Sequence, residues 1–123
     1  YVCAKSETRV LFIAYEHVIK RCENACKFHS QLVSNLLQMI ALRASQQANR
    51  IYVLSRNSTR KKIMAYLNSI AAEKQTKTVI LPMSYTTLAE YLSVDRSAMM
   101  RELKNLADEG IIERDGKKLR ILD

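Results

Sequence analysis

Glycine and proline are scarce in this chain. Two glycines and one proline among 123 residues leave few natural breaks for linkers, and no internal repeat or low-complexity tract is present. No apolar run reaches the ~18 residues needed to span a bilayer as a helix. The N-terminus also lacks the basic-then-apolar pattern of a signal peptide, so a soluble, cytoplasmic protein is expected. Tyr1 is not an initiator, which points to a fragment or a processed form. A glycine-rich phosphate loop, a nucleophile elbow and paired histidines at metal spacing are all missing. No enzyme is expected.

Cysteine is sparse and odd in number. Cys22 and Cys26 stand four apart with His29 close behind, and Cys3 lies further upstream. On one helix the thiols would meet, and a metal or redox role is one reading. The plainer reading is small, buried apolar side chains, because no Cys-x-x-Cys pair or fourth ligand is evident. No metal site is assigned, and His17 and His29 read as surface or interface residues.

What is present is enough apolar content, 48%, to build a core, and a net charge of +8. The excess is local. Residues 43–77 carry eight basic groups and one acidic, whereas residues 95–123 carry seven of each, so net charge does not single out any one helix. The basic cluster Arg56, Arg60, Lys61 and Lys62 fits either contact with phosphates or a plain solvated face.

The informative stretch runs from Ser84 to Leu106. Ser84 can cap a first helix whose stripe is Leu88, Ala89, Tyr91 and Leu92, and Asp95 can cap a second whose inner face is Met99, Leu103 and Leu106. The outer face then presents Ser97, Arg101 and Lys104, with Arg96 in the exposed first turn. Two short helices joined by about three residues make a helix-turn-helix. Upstream, Thr78 to Leu81 suits a short strand ended by Pro82. Downstream, Gly110 suits a helix end, and Asp115-Gly116 between two strand-like runs predicts a hairpin turn centred on those two residues, with Lys117 and Lys118 at its tip.

These residues carry a family resemblance. Ser58-Thr59-Arg60, Leu81-Pro82-Met83-Ser84, Leu88 to Leu92, Val94-Asp95-Arg96-Ser97, Arg101-Glu102-Leu103 and Glu109 to Arg114 together resemble the Crp/Fnr family of bacterial transcription regulators, over the chain from about Phe28 onward. The resemblance implies a mainly α chain with small β elements (α+β): a long dimerisation helix followed by a winged helix-turn-helix. It implies three parts: residues 1–26 as the tail of an effector-binding β-roll, 27–55 as the dimerisation helix and 56–123 as the DNA-binding unit. It places base-reading roles on Arg96, Ser97 and Arg101. Phosphate contacts fall to Ser84, Thr86, Asp95 through its backbone amide and Lys117, and Lys104 joins them by its place on the exposed face. Ser93 replaces the usual turn glycine. The effector pocket would lie in N-terminal residues outside this chain, so no cofactor is expected within it.

Elsewhere, Tyr1 to Ile13 predicts a terminal β-hairpin turning at Lys5 to Thr8, and Ala14 to Cys22 a short helix. Lys27 to Ser55 predicts a long uninterrupted helix. Its first half is apolar almost all round, and Leu32, Leu36, Met39, Ile40 and Arg43 begin a near-heptad seam for a two-fold partner or for a missing domain. Arg56-Asn57-Ser58 forms the hinge, and Ser58 to Ala72 a helix burying Ile63, Met64, Leu67 and Ile70. The expected function is a sequence-specific regulator that binds a palindromic operator in double-stranded DNA as a homodimer, with the helix at about 95–106 in the major groove. RNA polymerase is a further candidate partner and a membrane is not. The alternatives are a winged-helix protein-interaction module or a cysteine-based redox or metal sensor.

Overall fold

The computed structural model describes residues 3, 4, 6–19 and 27–122. They form two compact units, residues 1–44 and 45–123.

In the first unit, α1 (Tyr15–Ile19) and the leading part of α2 (Lys27–Leu54) are the regular elements. The expected terminal hairpin does not form among the described residues, since 6–14 carry no strand. A two-stranded ribbon is marginal without a further strand or helix to pack against. Here Val10, Leu11 and Phe12 remain exposed, so nothing among the described residues packs over them. The short helix forms over Tyr15–Ile19, and the rest of its expected span, with Cys22 and Cys26, lies outside the described residues. Cys3 is exposed. Ile13, Tyr15, Val18, His29, Val33 and Leu36 line an open apolar groove of about 940 Å³ against the start of α2.

The second unit contains the end of α2, then α3 (Thr59–Lys74), β1 (Thr78–Ile80), α4 (Tyr85–Leu92), α5 (Arg96–Asp108), β2 (Ile112–Asp115) and β3 (Lys118–Ile121). Each helix start is fixed by a side-chain oxygen on a free backbone amide: Ser58 accepts from Lys61, Ser84 from Thr87 and Asp95 from Ala98. The ends of α3 and α4 turn left-handed at Gln75 (φ 50°) and Ser93 (φ 51°). At the end of α5, Gly110 (φ 73°) follows the cap residue, and the Ile111 amide closes back onto the Leu106 carbonyl at 2.9 Å.

The three strands form an antiparallel sheet in the order β1-β3-β2. Its inward side chains, Val79, Ile112, Leu119 and Ile121, meet Ile63 and Leu67 of α3, Leu88 and Leu92 of α4, and Met99, Leu103 and Leu106 of α5 in one core. Met64 and Ile70, expected in this core, are half-buried at its edge, while Ala65 and Tyr66 are buried. Val53 of α2 is fully buried in the same core, so the helix end belongs to this unit. The hairpin differs from expectation by one position. Asp115 pairs with Lys118, so the turn residues are Gly116 and Lys117. Gly116 takes the positive φ (54°) and Lys117 an ordinary one; with only one left-handed residue required, Asp115 is free to extend the strand.

Candidate nucleic-acid interface

The two sides of α5 are chemically distinct. Met99, Leu103 and Leu106 are completely buried, while Arg96, Ser97, Arg101, Lys104 and Asn105 are exposed. This separation follows from residues three and four apart sharing a helix face. The ion pairs among the described residues are Arg60 with Glu109 and Arg120 with Glu113, so Arg96, Arg101 and Lys104 take part in none of them. Glu102 instead accepts a hydrogen bond from the Asn105 amide at 3.2 Å. A groove of about 530 Å³ runs beside Arg101, lined by Ser58, Thr59, Arg60, Ala98, Glu102 and Asn105. Asn105 is a polar side chain on this face that the sequence reading passed over. Its spacing of four from Arg101 was the available signal.

The capping residues of the helix pair are committed locally. The Asp95 carboxylate accepts from the Ser97 hydroxyl and, at 2.8 Å, from the Ala98 amide. The first of these, then the second, holds its pKa below the ordinary carboxylate range. The Ser97 hydroxyl is thereby engaged within the first turn. Ser84 likewise accepts from the Thr87 amide at 3.1 Å and shares a 2.9 Å hydrogen bond with the Thr87 hydroxyl, while remaining exposed. Thr86 is exposed beside it.

At the wing, Lys117 is exposed in the β2-β3 turn. Both carbonyls of that turn are held: the Leu81 amide donates to Lys117 O at 3.0 Å, and the Tyr85 hydroxyl donates to Gly116 O. Burial pushes the Tyr85 hydroxyl pKa up, and Arg114 opposes the shift. Tyr85 was not singled out from the sequence. Its partner lies 31 positions away, and no local pattern marks such a contact.

The basic cluster is mostly occupied within the chain. Arg60 pairs with Glu109, Arg56 lies 4.1 Å over the Tyr52 ring and donates to the Tyr52 carbonyl, and Lys62 donates to the Leu92 and Ser93 carbonyls. Lys61 alone of the four is exposed without such a partner among the described residues. The expected seam of α2 divides as well: Leu32 and Leu36 are half-buried, whereas Met39, Ile40 and Arg43 are exposed. Among the described residues no cluster of three potential metal ligands occurs, and no helix is long and apolar enough to cross a membrane.

A helix pair set on a small antiparallel sheet, with a hairpin projecting beside the second helix, defines a winged helix-turn-helix. Residues 61–123, just over half of the chain, match the Crp-like helix-turn-helix domain. The chain therefore belongs to that family, the one of the Crp/Fnr-type regulators. It is also similar to the probable transcriptional regulator flp of Lacticaseibacillus casei, with 39% identity over 70 residues that make up 57% of this chain and 32% of that protein. The chain thus matches about a third of the relative's length.

Proposed function

We propose that this chain is the DNA-reading part of a transcription regulator that binds a palindromic operator as a homodimer. The observation that carries the reading is the outer face of α5, where Arg96 and Arg101 are exposed and free of internal ion pairs. An arginine fork matches guanine O6 and N7 in the major groove, and each good pair supplies about 1 to 3 kcal/mol of discrimination. Ser97 contacts a base once its hydroxyl leaves Asp95. Lys104, Lys117, Thr86, the Ser84 hydroxyl and the Asp95 amide flank this face as phosphate contacts. These sequence-independent contacts set register, whereas the arginines set specificity.

The partner is a second copy placed along α2. Leu37, Met39, Ile40 and Leu42 are 62%, 54%, 62% and 57% exposed, a concentration of apolar surface unfavourable in an isolated chain. A two-fold axis along this helix buries that surface and presents two copies of α5 to major-groove faces about 34 Å apart. RNA polymerase is then a candidate partner at the promoter.

Selection from random duplex DNA with the purified protein, paired with its mass in solution, tests the reading. The expected product is a two-fold symmetric site with half-sites about one helical turn apart, bound by a dimer. Recovery of unrelated sequences, or tight binding by a monomer to an asymmetric site, would refute it.

A further inference from the structure

Ser93 connects α4 to α5 with φ 51° and ψ 55°. Glycine adopts this left-handed backbone freely, whereas the Cβ of serine crowds the neighbouring carbonyl there. Part of the turn is closed by the chain itself: the Ser93 amide donates to Glu90 O and the Val94 amide to Ala89 O, both at 3.1 Å. The carbonyls of Leu92 and Ser93 are met from outside the turn. Lys62, on α3, places its ammonium 3.2 Å from the first and 3.5 Å from the second.

This placement resolves an electrostatic misfit. Lys62 closes the first turn of α3, at the end of that helix whose dipole disfavours a cation. Its side chain instead reaches the carboxyl end of α4, where a positive charge is favoured and where unsatisfied carbonyls collect. The same helix holds the other end of α5, because Arg60 pairs with Glu109 just past its last turn. α3 thus grips α5 near both ends, one grip passing through the turn.

We infer that Lys62 is a positioning residue: its ammonium holds the left-handed Ser93 turn and so fixes the direction in which α5 leaves α4. The functional consequence rests on the DNA-binding reading above. Without the ammonium, the turn relaxes toward ordinary serine backbone, and Arg96 and Arg101 lose their common alignment.

Three variants test this in the full chain against its selected duplex. Lys62→Met is expected to bind roughly tenfold more weakly with an unchanged salt slope, and Lys62→Arg to retain most of the affinity. Adding Ser93→Gly to Lys62→Met is expected to restore binding, because glycine holds the turn unaided. In DNA-free protein, the Ser93 and Val94 amides of Lys62→Met should exchange faster with solvent than in the wild type. Wild-type exchange and affinity in Lys62→Met would overturn the inference. So would a salt slope lower by about one, which marks a direct phosphate contact, or failure of Ser93→Gly to rescue. If the wild type bound no duplex at all, the DNA-binding reading would fall while amide exchange still decided the role of Lys62.

Discussion

The Arg50 guanidinium of α2 lies 5.1 Å from the centroid of the Tyr91 ring on α4, and that ring in turn lies 5.5 Å from Tyr66 on α3. The stack joins three helices of the second unit, beside the fully buried Val53. It links the end of the long helix to the first member of the helix pair. Burial, then the neighbouring Tyr91, raises the Tyr66 pKa, and the electron-rich face of the Tyr91 ring attracts the Arg50 cation.

Arg50→Ala is expected to lower stability by about 0.5 to 1 kcal/mol, the range for an exposed cation over an aromatic face. In urea unfolding, a cycle with Tyr91→Leu should show coupling between the two changes. Strict additivity would mean the guanidinium contributes no specific contact.

Arg101→Ala and Lys117→Ala should differ in kind. The first removes a base-reading fork and should lose preference at one base pair. The second removes a phosphate contact and should weaken all sequences alike, reducing the salt slope by about one. Titrations on matched and scrambled duplexes across a salt series distinguish them. Equal loss on both duplexes for Arg101→Ala would count against base readout.

Tyr85→Phe deletes the hydroxyl that holds the Gly116 carbonyl while keeping the ring. The wing turn should loosen, seen as faster amide exchange around Lys117. Affinity should fall by a similar factor on every duplex, with the base preference intact. A changed preference instead would place Tyr85 against a base.

Acid should weaken the start of α5. The Asp95 carboxyl has a lowered pKa in the fold, so its capping contribution is complete above the ordinary carboxylate value and is lost as pH falls through the folded value. Asp95→Asn caps without titrating and should flatten this part of the stability profile below about pH 4. Identical acid dependence in the variant and the wild type would assign the loss to other carboxylates.

The helix pair was legible because its information is local. Ser84 and Asp95 each stand three residues before the amide they cap, and Met99, Leu103 and Leu106 repeat with the helical period. The hairpin was legible in kind but misplaced by one residue, since Asp-Gly signals a turn without stating which strand keeps the aspartate. The terminal hairpin leaves no strand among the described residues: alternation nominates strands, but only a supporting surface stabilises them.

By itself, the sequence determined the order of elements, the caps, and which side of α5 is apolar, because these depend on neighbours within about four positions. Only the tertiary structure decided which cations remain available. Arg60 and Lys62 look equivalent to Lys61 along the chain, yet folding brings Glu109 to the first and the Leu92 and Ser93 carbonyls to the second. Pairing across 49 and 30 positions depends on how helices pack in space, and a linear pattern of charges carries no record of it.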